Sequence, residues 1–363
     1  MDVMTLSPLA RTVATTATDI WNDSCSVEEL QYAIANGATG ATANPTIVHD
    51  VWKQDPATWR ARVRQLGIEH PRWTEIDLAW AVVADMSVRG ANLLEPIFVA
   101  NGGRKGRLSV QTDPTLYRDA DRMVEQAAGF DALAPNVIVK FPATRAGIVA
   151  MEAASRRGIS VNATVSFSVA QAVAAAEAVE RGIRARDAAG EPTDSMGPVI
   201  TLMMGRIEDW LRVQTERDGI VADPVAIPWS GVAVFKRAYG EFQQRGFRAR
   251  LLGAAIRHQL HWTELIGGDV VITMPSSWQK RFNASEIDVT PRMDEPVDPS
   301  LIADLASHFP DFVRAYEPDG LSVGEFDTFA PTVRTLRAFV ASYHDLLHAV
   351  SDAMLPNPDV KPA

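Results

Sequence analysis

The chain of 363 residues contains one cysteine, Cys25. One thiol cannot close an intrachain disulfide, so the stapled framework of a small secreted domain is excluded and a reducing cytoplasm is the expected compartment. Long apolar runs are missing as well: no stretch of about 18 apolar residues occurs, the length a bilayer span needs. The opening "MDVMTLSPLARTVATTATDIW" lacks an apolar core behind a basic segment, so no signal peptide is expected. Positive charge is in deficit, with 35 Lys and Arg against 45 Asp and Glu and a net charge of −10. That balance argues against nucleic acid and against an anionic membrane surface as partners, although local arginines can still hold a small anion. Linkers, repeats and low-complexity blocks are absent too. What remains is an ordinary globular composition, 47% hydrophobic and 22% charged, long enough for two average domains or one large barrel.

Eight short runs read as strands: 18–23, 40–44, 107–111, 136–140, 161–165, 199–203, 248–254 and 270–274. Most are separated by amphipathic helical patterns, such as "AGIVAMEAASRRG" ending at Gly158 and "SVEELQYAIANG" ending at Asn36-Gly37. Strand–helix alternation implies parallel strands with right-handed crossovers, and eight such units predict an α/β fold of the (β/α)8 TIM-barrel type. A doubly wound open sheet is the alternative, but no Gly-rich fingerprint follows the first strand. Residues 45–106 are too long for one crossover and should hold more than one helix. Residues 1–355 are expected to form a single domain with extra helices, and "PNPDVKPA" (356–363) a disordered tail.

In a parallel barrel the active site forms at the C-terminal ends of the strands. Those positions hold Asp23, Asn44, Gln111, Lys140, Asn162 with Thr164, Thr201 and, past the seventh strand, Arg257; Arg206 follows the sixth. A single amide or hydroxyl at such a place also suits the cap of the next helix. Lys140 differs, because it ends the apolar run Val137-Ile138-Val139 and so carries its amine toward an enclosed space. In water a lysine pKa of about 10.4 leaves about one amine in 10³ neutral at pH 7. Burial penalises the charged form. A drop of roughly three pKa units, about 4 kcal/mol, would free the amine to form a Schiff base with a ketone. Position alone leaves open an edge lysine that snorkels to solvent. Arg206 in "MMGRIEDW" and Arg257 in "GAAIRHQ" each present a fork that matches a phosphate. Each could instead pair with a neighbour such as Glu208 or Asp209.

Taken together, "TANPTIV" (42–48), "NVIVKFPATRAG" (136–147), "GISVNATVSFSVAQA" (158–172) and "GRIEDW" (205–210) resemble the signature segments of transaldolases, in the same order. The resemblance runs from about residue 18 to about residue 280, and "EPIFVANGGRKGRLSVQTDP" is similar to the longer bacterial branch of that family. It implies a class I, Schiff-base barrel enzyme of carbohydrate metabolism and the pentose phosphate pathway, with no metal and no cofactor. Such an enzyme moves a dihydroxyacetone unit from a ketose phosphate to an aldose phosphate. The resemblance further implies that Lys140 forms the imine and that Asp23 takes the proton of the donor's C4 hydroxyl. It makes Asn44 and Asn162 the amides that orient donor hydroxyls, and Thr164 the holder of the catalytic water. Thr201 would bind the donor's terminal hydroxyl, and Arg206 and Arg257 its phosphate. The partners implied are small sugar phosphates; a homodimer is left open.

The pattern breaks at the third strand, where the family's glutamate segment is replaced by "SVQTD" with Gln111. Glutamine can hold a water but cannot accept its proton. Fructose-6-phosphate aldolases, which resemble transaldolases and release free dihydroxyacetone, also use glutamine there, but they pair it with a tyrosine where this chain has Met203. Ala255 replaces a serine that some members carry beside the phosphate. Three readings therefore stand: transaldolase transfer, an aldolase-like or specialised donor and acceptor choice, and a silent barrel that only binds a sugar phosphate. Other candidates are weaker. His344 and His348 lack the glutamate of a metal-binding HExxH segment, His258 and His261 are expected on a surface helix, and Cys25 reads as a small residue at a helix start rather than a reactive thiol.

Overall fold

The structure, a computed structural model, describes residues 6–359. The first residues of the segment read for a signal peptide, and residues 360–363 of the expected tail, lie outside that range.

Eight parallel strands close into a barrel: β1 (Asp19–Asn22), β2 (Gly40–Thr42), β3 (Arg107–Gln111), β4 (Val137–Pro142), β5 (Val161–Thr164), β6 (Val199–Met203), β7 (Arg250–Ala254) and β8 (Val271–Met274). Each pairs with the next in chain order, and β8 returns to β1 with Asp19 opposite Val271 and Asn22 opposite Met274. Gln279, on the helix that follows β8, donates to Asn22 Oδ1 (2.7 Å) and to the Met274 carbonyl (2.9 Å), pinning that closing seam. The expected (β/α)8 TIM barrel is therefore the fold, and each expected strand lies where the sequence put it. Residues 45–106 hold three helices, Pro45–Gln54, Pro56–Glu69 and Glu75–Ala100. Their starts are written in the sequence: Asn44, Asp55 and Thr74 accept from the first-turn amides, and Pro45 and Pro56 occupy first helical positions where no N–H is needed.

Alternation along β1 turns Asp19, Trp21 and Asp23 into the barrel at three heights. The N-terminal end is closed by charge pairing. Asp19 is 1% exposed and meets Arg250 at 2.7 Å and Lys105 at 2.8 Å. Trp21 fills the layer above and explains Gly40 on the neighbouring strand: a Cβ there would lie 2.5 Å from the indole. The next layer is polar. Asn162 Nδ2 donates to Ser109 Oγ (2.9 Å), and Thr201 Oγ1 donates to Asn162 Oδ1 (2.7 Å). Across the C-terminal end lies the helix Ala330–Met354, which packs on all three helices of the 45–106 segment. No helix among the described residues is long and apolar enough to cross a membrane.

Candidate active site

At the C-terminal end of the barrel a cavity of about 180 Å³ is lined by Asp23, Asn44, Lys140, Thr164, Thr201, Met203, Arg206 and Arg257. Eight of the residues singled out from the sequence thus share one space. A larger recess of about 330 Å³ opens at the opposite end. Three of its arginines are already paired, Arg104 and Arg250 with Asp269 and Arg248 with Glu180 and Asp187; the fourth, Arg107, is buried and donates to the Ser195 carbonyl (2.5 Å), and the recess lacks a buried amine.

Lys140 sits mid-strand on β4, flanked in register by Gln111 of β3 and Asn162 of β5. It is 5% exposed, so it does not snorkel to solvent. Burial pushes its amine down from the ordinary value to about 8, while the negative charge of Asp23 pulls in the other direction. At pH 7 roughly one amine in ten is then neutral, about a hundredfold more than in water.

Asp23 follows β1, and its amide continues the ladder by donating to the Met274 carbonyl (3.0 Å). Its carboxylate accepts from Thr42 Oγ1 at 2.5 Å, and Thr42 in turn lies 3.2 Å from Thr273 Oγ1. Two threonines from adjoining strands thereby fix the carboxylate on the side of the cavity facing the amine. Asn44 uses Oδ1 as a helix cap, accepting from the Ile47 amide (3.0 Å), so the capping role and a place in the cavity coexist.

Two expected site residues do not line the cavity. Asn162 spends both amide ends on Ser109 and Thr201, which makes it the support of Thr201 in this unliganded state. Gln111 shares the inward face of β3 with Ser109 and is 4% exposed, and its Oε1 has no protein hydrogen-bond partner. It borders instead a small recess with Asn44 and Tyr343.

The two arginines approach from the helix after β6, Met204–Asp218, and from the turn after β7. That close approach depends on Gly205, where a Cβ would lie 2.0 Å from the Ala255 carbonyl. Ala255 itself is left-handed, with φ 63°, as is Val165 past β5, with φ 52°. Non-glycine residues in that region store backbone strain, and both lie beside the cavity. Arg206 Nε is buried without a partner. Burial, joined by the charges of Arg257 and Arg334, holds its guanidinium below the ordinary value, with Asp209 and Asp23 opposing. Arg257 is bound in fork geometry by Asp209, at 3.2 and 2.8 Å, so the ion-pair reading holds for Arg257 before any ligand arrives.

The expectation that His258 and His261 sit on a surface helix is wrong. His261 is fully buried, and its Nε2 lies 2.5 Å from Glu208 Oε1, which His258 Nε2 also meets at 2.9 Å. The reason is tertiary: Glu208 of the helix Met204–Asp218 covers His261 on the short helix Leu260–Thr263, and His258 lies half-buried in the turn before that helix, which a local pattern cannot report. His344 and His348 are exposed and join no ligand-like group among the described residues. Burial pushes the Cys25 thiol up to about 12, which makes it inert at neutral pH.

Several residues of the site had not been singled out: Thr46 and Ile47 on the first turn after β2, Thr273 of β8 and Phe339 from the C-terminal helix line the cavity, and Thr42 holds Asp23 from behind it. Thr42 was within reach of the period-two rule, being two residues before Asn44 on the same face. Phe339 carried no such signal.

Comparison with known proteins supplies an independent bearing. The sequence profile described as "Transaldolase/Fructose-6-phosphate aldolase" matches residues 20–315. Among relatives, a protein of Mycolicibacterium smegmatis named transaldolase is 26% identical over 75% of this chain and 80% of its own. Transaldolases of Thermobifida fusca (27%, covering 71% and 77%) and of a Parafrankia species (24%, covering 89% and 95%) are similar over comparable or longer stretches.

Proposed function

This chain belongs to the transaldolase/fructose-6-phosphate aldolase family, and from that premise we propose that it transfers a dihydroxyacetone unit between sugar phosphates through an imine on Lys140. It is an enzyme of the transaldolase/aldolase type; the covalent route and the residue roles are this reading. The observation that carries it is a buried amine, brought to about 8 by its surroundings, in one cavity with a single carboxylate and two arginines.

The neutral Lys140 amine attacks the C2 carbonyl of a ketose phosphate such as fructose 6-phosphate. Loss of water from the carbinolamine leaves a protonated imine. Asp23 then takes the proton of the C4 hydroxyl. The C3–C4 bond breaks as C4–O becomes a carbonyl, and its electron pair moves through C3 and C2 onto the imine nitrogen. An aldose phosphate departs and a three-carbon enamine stays on Lys140. Attack of that enamine on an acceptor aldehyde, with Asp23 returning the proton, and hydrolysis of the new imine complete the transfer. Thr164 is read as the holder of the water in the imine steps, and Thr201, Asn44 and Met203 as contacts of the donor chain. Arg206 and Arg257 are read as the phosphate handle, Arg257 leaving Asp209 to engage it. Borohydride reduction in the presence of fructose 6-phosphate tests the core of the reading: a three-carbon adduct on the peptide containing Lys140 is expected, and no adduct on that peptide overturns it.

Gln111 favours a second reading, an aldolase-like reaction that releases free dihydroxyacetone. Where the family has a glutamate this strand end carries Gln111, so a water held by Thr164 finds no carboxylate on β3 to act as its base. Release of glyceraldehyde 3-phosphate or erythrose 4-phosphate that depends on an acceptor supports transfer; acceptor-independent release with free dihydroxyacetone supports the second reading.

A further inference from the structure

Behind Arg257 lies the group formed by Glu208, His258 and His261, whose ligand-type atoms all fall within 4.8 Å of one another. Two imidazoles and a buried carboxylate resemble a metal site, yet the hydrogen bonding assigns the protons otherwise. The backbone amide of Arg257 donates to His261 Nδ1 at 3.2 Å. A backbone N–H can only donate, so Nδ1 must carry the lone pair and the neutral ring must carry its proton on Nε2. Nε2 lies 2.5 Å from Glu208 Oε1, a close polar contact that is off the line of a hydrogen bond, and a protonated nitrogen cannot ligate a cation. The arrangement is therefore a tether. Glu208, 1% exposed on the helix after β6, holds the ring of His261, and the ring holds the main chain of Arg257 across the turn after β7.

The turn needs such a tether, because it enters through Ala255 with a left-handed backbone. His258 shares Glu208 Oε1 at 2.9 Å, and Arg212 stands 3.9 Å from Oε2, so the carboxylate stays charged with several donors around it. Asp209, one residue further on the same helix, holds the Arg257 guanidinium. The same helical turn thus grips Arg257 twice, by side chain through Asp209 and by main chain through Glu208 and His261.

We propose that Glu208 and His261 are positioning residues that fix the Arg257 main chain, and through it the affinity of this enzyme for the phosphate of its substrate. The proposal rests on the reading of Arg257 as a phosphate ligand. When phosphate draws the guanidinium away from Asp209, the His261 tether keeps the arginine's base in place, so binding exchanges one side-chain partner without remodelling the turn.

Asparagine and glutamine at position 261 separate the two ends of the tether. An asparagine Oδ1 reaches where Nδ1 lies and can accept from Arg257, whereas a glutamine Nε2 reaches toward Glu208 and leaves the Arg257 amide unpaired. The assay is competitive inhibition by inorganic phosphate together with KM and kcat for fructose 6-phosphate. His261→Gln is expected to raise the phosphate inhibition constant and KM about tenfold while changing kcat far less, and His261→Asn to stay within about threefold of the parent protein. Glu208→Met, which keeps the shape and removes the acceptor that holds the ring, is expected to behave like His261→Gln and serves if that variant does not fold. Equal inhibition constants in all the proteins, or a parallel loss in kcat and KM, overturn the tether while leaving the phosphate reading intact. No effect of phosphate on the unaltered enzyme overturns the phosphate reading and the tether with it.

Discussion

Replacing Lys140 with methionine is expected to raise stability at neutral pH while abolishing adduct formation. The amine falls from an ordinary 10.5 to about 8 in the folded protein, chiefly through burial. At about 1.36 kcal/mol per pKa unit, that drop corresponds to roughly 3 kcal/mol withheld from folding. The sign follows from proton counts. Between pH 8 and 10.5 the unfolded chain keeps the lysine proton and the folded protein does not, so stability rises with pH across that window. The cost of Lys140 is full below pH 8 and vanishes above about 10.5. Methionine fills a similar volume without charge, and the repacking it requires offsets about 1 kcal/mol of that, leaving a gain of about 2 kcal/mol. For a chain of 363 residues, with an unfolding entropy of about 2.1 cal/mol/K per residue, this amounts to roughly 3 °C in Tm. Paired urea titrations of both proteins at pH 7 and pH 10, with their slopes compared, read it directly. A variant no more stable than the parent at pH 7, or a stability gap equally wide at pH 10, refutes the reasoning.

Other outcomes follow from the same geometry. The kcat/KM of the parent enzyme should climb as pH rises toward 8, as the Lys140 amine becomes neutral; a profile flat from pH 6 to 9 contradicts that assignment. Asp23→Asn should lower C–C cleavage by at least about a hundredfold, the scale of a lost general base, yet leave borohydride trapping of dihydroxyacetone on Lys140 in place. Gln111→Glu should change the ratio of transferred to free dihydroxyacetone severalfold, read by mass analysis of the products; an unchanged ratio and rate dismiss the role given to Gln111. Gly40→Ala should destabilise by about 2 kcal/mol or more, because its Cβ meets the Trp21 indole in a packed layer; a melting curve matching the parent's would show that the layer yields.

The barrel was legible because each strand is a short apolar, β-branched run, and because helix starts such as Asn44-Pro45 and Asp55-Pro56 announce themselves through side chains that cap locally. Strand ends then delivered Asp23, Asn44, Lys140, Thr164, Thr201 and Met203 to a common cavity. What stayed hidden depends on long-range packing. Phe339 reaches the cavity from a helix nearly two hundred residues after Lys140. His261 reads as a surface residue until Glu208 covers it. Asn162 is correctly placed on β5, but only the hydrogen bonds reveal that its amide is occupied by neighbours.

The closed floor of the barrel also governs traffic. Among the described residues Asp19, Trp21 and Arg107 block the way from below, each at most 2% exposed. On the proposed route the outgoing aldose phosphate must leave by the opening through which the acceptor enters, and the two cannot pass. Turnover then alternates by exclusion, so the first product should compete with the acceptor for the loaded enzyme. With Arg206 and Arg257 as the proposed phosphate handle, leaving and arriving phosphates are weighed at the same post.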